Sequence, residues 1–258
     1  MKNRLSRIIK PKDKRTVMLA VDHGYFMGPT TGLENFEIVK KILPYADAIM
    51  LTRGALRNYI QPEEDIPVVL RVSGGTSIIG KELLHEGIIT SIKDALKLNV
   101  SGLAFSIMVG SEFERDTLLG LAKIVDLGEE YGIPVVAVTA VGKELVRDAR
   151  YLALASRIAA EFGAHIVKTY YCENFEKVVD SCPVPIVIAG GKKISEEEAL
   201  KMTYDAIQKG ASGVDMGRNI FQSENPKAMI KAVKAIVHEN FSAKEAIEMF
   251  KKEKGETR

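Results

Sequence analysis

Lys168 stands inside the apolar run His165-Ile166-Val167-Lys168-Thr169. Taking an ammonium out of water is expensive, so a lysine in such a run needs either a carboxylate partner or a chemical task. Desolvation and neighbouring cations favour the neutral amine. A neutral amine attacks a ketone or aldehyde and forms an iminium, an electron sink that lets the bond beside the original carbonyl break or form. Two readings therefore stand side by side: a nucleophile, or a structural lysine paired with an acid.

Other chemistry-bearing residues sit just beyond apolar runs. Ala189-Gly190-Gly191-Lys192 and Met216-Gly217-Arg218-Asn219 are glycine-rich turns with a cation attached. Glycine lets the backbone approach an anion closely, and Arg218 or Lys192 adds charge. Asp22 and His23 end the first apolar run; the acid can relay protons or orient an iminium, or simply cap the strand. Ser73-Gly74-Gly75-Thr76-Ser77 is a polar loop that either reaches a substrate, through Ser73 and Gly74, or merely turns the chain. Cys172 and Cys182 are too few for a disulfide framework and lack a C-x-x-C partner. His23, His85, His165 and His238 lack the ligand spacing of zinc sites, so no metal site is expected.

The elements that must position these groups alternate along nearly the whole chain. Strands are predicted at Val17 to Val21, Ala48 to Thr52, Val68 to Val72, Leu103 to Val109, Val135 to Thr139, His165 to Thr169, Pro185 to Ala189 and Gly213 to Met216. Several are continuous apolar runs, as expected of parallel strands covered on both faces. Helical spacing marks Glu112 to Tyr131, Val146 to Phe162 and Ser195 to Lys209, with shorter stretches near Glu34 to Leu43 and Ser91 to Leu98 and two helices at the end. Ser195 followed by three glutamates looks like an N-cap with an acidic first turn. The basic start, MKNRLSRIIKPKDKR, suits a short amphipathic helix laid against the domain.

Eight β-α units in 258 residues point to a single closed α/β domain over 1–258, a (β/α)8 TIM barrel. An open doubly wound sheet would carry G-x-G-x-x-G after its first strand, where DHGYFMGPTTG stands instead. In a barrel the residues at the carboxyl ends of the strands face the active site. Those ends deliver Asp22, His23, Ser73, Lys143, Lys168, Gly190, Gly191, Gly217 and Arg218. The turns after the last two strands are where barrels commonly hold phosphate.

Composition narrows the partners. Lys plus Arg is 36 and Asp plus Glu is 34, a net charge of +2, which leaves no broad footprint for nucleic acid. No apolar run reaches the roughly 18 to 20 residues that span a bilayer. The first residues lack the apolar core and cleavage site of a secretory signal, so a cytoplasmic protein acting on a small molecule, without a membrane partner, is expected.

The segments RLSRI, TVMLAVDHGYFMGPTTGLE, TRGALR, RVSGGTSI, AVTAVGKELVRDARY, IVKTYY, CPVPIVIAGGKK and GASGVDMGRNIFQ, in this order, cover nearly the full chain. Together they closely resemble the DeoC/LacD-like Schiff-base aldolases. Within that superfamily they are similar to archaeal-type class I fructose-bisphosphate aldolases and, above all, to the LsrF-like autoinducer-2 aldolase/thiolase branch. The resemblance implies a Schiff-base lysine at Lys168, a strand-one aspartate at Asp22, and phosphate-binding turns at Gly190, Gly191, Gly217 and Arg218. It also implies a homo-oligomer, a decamer of two stacked pentamers, with no bound cofactor and coenzyme A as co-substrate. The reaction implied is acetyl transfer from 3-hydroxy-5-phosphonooxypentane-2,4-dione to coenzyme A, giving dihydroxyacetone phosphate.

One departure separates the branches. Fructose-bisphosphate aldolases of this type carry a W-x-Y-P-R-G-like segment after strand five, with a proton-transferring tyrosine. Here Val138-Thr139-Ala140-Val141-Gly142-Lys143 occupies that stretch, and Ala140 cannot move a proton. This matches the thiolase branch. Asp22 or Lys143 is able to take over proton transfer, which keeps ordinary phospho-sugar aldolase or synthase activity as an alternative. A non-catalytic sugar-phosphate sensor is a third reading, although no signalling module is visible.

Overall fold

The computed structural model describes residues 1–80, 84–139 and 147–255. Eight parallel strands close into a barrel: β1 (Thr16–Ala20), β2 (Ala48–Thr52), β3 (Val68–Arg71), β4 (Gly102–Ile107), β5 (Val135–Thr139), β6 (Ile166–Tyr170), β7 (Ile186–Ala189) and β8 (Gly213–Met216). They run in sequence order around the ring, with β8 pairing back onto β1. The expected (β/α)8 barrel is therefore the fold.

Side chains of a strand alternate between the barrel interior and the helix layer. In β6 the alternation is easy to follow. Ile166 packs inside with Met18, Ala48, Met50, Val69, Ala104, Val136 and Val187, whereas Val167 belongs to the outer core between sheet and helices. Lys168 falls on the same face as Ile166 and sits level with Val138 of β5 and Val187 of β7.

The interior is apolar at its amino-terminal end and polar at its carboxyl end. Helix α1 (Lys2–Ile8) stoppers the apolar end: Ile8 and Ile9 join the inner cluster, and the Arg4 guanidinium donates to the Val100 carbonyl. Full burial of a side chain such as Ile8 contributes about 1.5–3 kcal/mol. This is the amphipathic helix expected from the opening residues.

Four longer helices of the outer layer lie where the periodicity places them: α2 (Glu114–Tyr131), α3 (Ala149–Glu161), α4 (Glu196–Gln208) and α5 (Pro226–Glu239), followed by α6 (Ala243–Gly255). Ser195 caps α4 in a reciprocal box with Glu198, an arrangement that contributes about 1 kcal/mol. Gly132 ends α2 with a left-handed φ of 67°, a conformation that costs glycine no steric strain. At the amino-terminal end, His238 of α5 bridges Asp13 and Asp47 at 2.6 Å each, tying the last helices to the loops around β1. Among the described residues no helix is long and apolar enough to cross a membrane.

The stretch after β3, open in sequence between a substrate-reaching loop and a turn, carries a short antiparallel pairing. Ser73–Gly74 pairs antiparallel with Gly87–Ile88, and Leu84 and Glu86 line the barrel mouth.

Candidate active site at the carboxyl ends of the strands

The inward positions above the apolar floor carry Asp22, Arg71, Ser106, Lys168 and Asp215, and they line a cavity of about 250 Å³. Lys168 is 8% exposed. Its Nζ lies 2.8 Å from Asp215 Oδ2 and 3.8 Å from the Met50 sulfur. Asp215 has no further hydrogen-bond partner among the described residues. Burial pushes its carboxyl above the usual carboxylate range, and the attraction of Lys168 only partly offsets this.

Asp22 lives in the opposite environment. Burial opposes its charge, but Arg71 and Lys168 outweigh burial and hold its pKa at about 2. Arg71 approaches it through Nε at 2.8 Å and Nη2 at 2.7 Å. The same guanidinium donates to Ser106 Oγ at 2.6 Å and lies 5.3 Å from the centre of the Tyr25 ring. Ser73 Oγ donates to Glu86 Oε2 at 2.6 Å and accepts from the Ser106 backbone N–H at 3.0 Å. Tyr25 donates to Glu86 Oε1 at 2.6 Å. One buried chain of polar contacts thus runs from Asp22 to Glu86. Two carboxylates flank one lysine, one held ionised and one pushed towards its acid form, which is the arrangement that separates acid from base roles.

The turns after β7 and β8 form the remaining wall. Gly190, Gly191, Gly217 and Arg218 all line the cavity. Gly191 adopts φ 69°, and a Cβ on Gly217 would meet the Ala20 carbonyl oxygen at 2.2 Å, so both positions require glycine. His23 lies against Gly217 and meets Phe221 edge-on at 5.7 Å. Burial drives its pKa down to about 4, with Lys168, Arg218 and Arg71 adding to the fall against the pull of Asp22. Its Nδ1 and the Arg218 Nε are buried without a hydrogen-bond partner among the described residues. Buried polar atoms of that kind await a ligand or water.

Of the residues singled out from sequence, the fold gathers Lys168, Asp22, His23, Gly190, Gly191, Gly217 and Arg218 around one cavity. Ser73 and Gly74 do not line it: the Ser73 hydroxyl is fully buried in the Glu86 contact, and Gly74 packs beside Tyr25 and Ile89. Lys143 and Ala140 lie outside the described residues. Sequence reasoning placed Arg71 at the carboxyl end of the third strand and Asp215 at the start of the last turn without giving either a role, yet each carried the signal that exposed Lys168, a charge inside an apolar strand. Glu86 carried none. Among the described residues no group of three or more His, Cys, Asp or Glu is placed to hold a metal, and both cysteines are free.

A closed barrel with a buried lysine between two carboxylates at its mouth defines an aldolase-type barrel enzyme. The chain belongs to the DeoC/LacD family aldolases, whose family model matches residues 16–223. It is 58% identical to the 3-hydroxy-5-phosphonooxypentane-2,4-dione thiolase of Enterobacter sp. (strain 638), over 98% of this chain and 86% of that one. It is 54% identical to the thiolase of the same name from Escherichia coli (strain K12), over 98% and 88%. Among solved structures, an archaeal fructose 1,6-bisphosphate aldolase superposes with a TM-score of 0.82 at 26% identity, covering 91% of this chain and 98% of that one. A second, an archaeal fructose-1,6-bisphosphate aldolase with its catalytic Lys covalently bound to the carbinolamine intermediate, gives 0.80 at 25% identity over 91% and 98%.

Proposed function

We propose that this enzyme transfers the acetyl group of 3-hydroxy-5-phosphonooxypentane-2,4-dione to coenzyme A and leaves dihydroxyacetone phosphate. The observation that carries the reading is the buried Lys168 amine, 2.8 Å from Asp215, in the cavity that the β7 and β8 turns also line. The identity of 54–58% to thiolases of that name supports the choice of substrate.

In this reading the turns at Gly190, Gly191, Gly217 and Arg218 hold the phosphate, which brings the adjacent C4 ketone to Lys168. Asp215 takes a proton from the lysine, and the amine attacks C4 to give a carbinolamine. The proton returns from Asp215 to the departing hydroxyl, which leaves as water and yields the iminium. The coenzyme A thiolate adds to the acetyl carbonyl at C2, and the C2–C3 bond breaks. Its electron pair moves into the iminium as an enamine. The proton given up by the thiol ends on C3, and water releases dihydroxyacetone phosphate and the free amine. Asp22, ionised down to about pH 2, stabilises the iminium by charge and is no proton donor near neutrality. His23, neutral above about pH 4, offers a hydrogen bond beside the phosphate without a second positive charge.

Product analysis tests this. The phosphorylated dione is expected to yield acetyl-coenzyme A and dihydroxyacetone phosphate only when coenzyme A is present. Efficient cleavage of fructose 1,6-bisphosphate to triose phosphates, with the dione inert, would instead assign ordinary aldolase activity.

A further inference from the structure

Asn219 follows Arg218 in the turn after β8, and its side chain is 0% exposed. Its Nδ2 donates to the Gly190 carbonyl at 2.7 Å and to the Lys192 carbonyl at 3.2 Å. Its Oδ1 accepts the Ile194 backbone N–H at 2.9 Å. One amide therefore grips three backbone groups across residues 190–194, the connection from β7 to α4. An asparagine amide has two N–H donors, and both carbonyl contacts draw on that nitrogen within the protein. This side chain faces backbone, and its work is to fix where the turn runs.

The fit is close on both sides. A Cβ on Gly190 would come within 2.7 Å of Met216 Cγ and 3.2 Å of Asn219 Nδ2, so the two turns pack with little slack. The backbone of Gly190 and Gly191 is not tied to that of Gly217 and Arg218 by neighbouring strand registers alone, because the β7–β8 ladder ends at Ala189 and Asp215. Beyond the ladder, Asn219 supplies a polar link between the two turns.

We propose that Asn219 is a positioning residue that joins the β7 and β8 turns into one anion cradle and so sets the enzyme's preference for phosphorylated over unphosphorylated diketones. The inference rests on the reading of those turns as the phosphate site. Losing the amide takes the side-chain partner from two part-buried carbonyls and one N–H, and the turn shifts in response. Both substrates share the Lys168 chemistry, so general damage cancels in the ratio of their kcat/KM values, and only a change in the cradle moves it.

The test measures kcat/KM for the phosphorylated dione and its dephosphorylated counterpart in the wild type, Asn219→Ala and Asn219→Asp. The aspartate variant keeps shape and the acceptor for Ile194 but sets an oxygen against the Gly190 and Lys192 carbonyls, and it carries the test if the alanine variant does not fold. The selectivity ratio is expected to fall by about tenfold or more in each folded variant, mainly through KM for the phosphorylated substrate. An unchanged ratio in a folded variant, whatever its melting temperature, overturns the role of Asn219. A wild type that shows no preference for the phosphorylated substrate removes the cradle reading itself, and the proposal with it.

Discussion

Lys168→Met is expected to lower kcat/KM for acetyl-coenzyme A formation by about 10³-fold or more, the scale on which enzymes lose a positioned catalytic group. The substitution keeps an unbranched side chain of similar length on the same inward face of β6, so packing against Met50 and the apolar floor changes little. Removing the ammonium deprives Asp215 of its ion-pair partner. Burial already pushes that carboxyl up, so it protonates and stays in place instead of unfolding the barrel. Activity and stability are thus expected to separate: turnover collapses while the denaturation midpoint moves little. Lys168→Arg sharpens the point, since a guanidinium restores charge but is no nucleophile. It is expected to be as inactive as methionine, and recovery of turnover by arginine would mean that only a cation is needed there.

Arg71→Met is expected to separate them the other way, destabilising the fold by about 3–5 kcal/mol, the range for breaking a buried ion pair from one side. Arg71 makes the short contacts that keep Asp22 charged in the barrel interior, and it also holds Ser106. The dependence on pH follows from the depressed pKa. Asp22, with a folded value of about 2 against an ordinary 3.8, contributes stability above pH 3.8 that disappears as pH falls towards 2. The gap between wild type and Arg71→Met in urea denaturation is therefore expected to be full at neutral pH and to shrink below about pH 4. A second change, Asp22→Leu, removes the stranded charge and is expected to restore much of the loss. A single variant as stable as the wild type at pH 7 would contradict this view of the pair.

The barrel was legible because its signals are local. Several of the parallel strands are continuous apolar runs, and helical spacing fills the stretches between them. Lys168 was legible for the same reason: a charge in an apolar run is conspicuous without any knowledge of its neighbours. Asp215 in Gly213–Met216 and Arg71 in Val68–Arg71 carry that signal too, but their meaning depends on register. Only when β8 closes onto β1 and β6 is laid inward does Asp215 meet the lysine, some fifty residues away in sequence. Glu86 was out of reach because its partners, Tyr25 and Ser73, come from distant stretches that meet it only in the folded chain. Ser73, one possible substrate contact in sequence, packs its hydroxyl on Glu86 and on the Ser106 backbone N–H beside the cavity. Asn219 reads in sequence as one more turn residue, and its grip on three backbone groups exists only in three dimensions.

Borohydride reduction during turnover of the phosphorylated dione, followed by mass analysis of the peptides, tests the central claim most directly. The account expects irreversible inactivation, with a reduced three-carbon or five-carbon phosphate adduct on the peptide containing Lys168 and none in Lys168→Met. Turnover that continues undiminished in borohydride with Lys168 unmodified, or an adduct on another lysine such as Lys192, would contradict it.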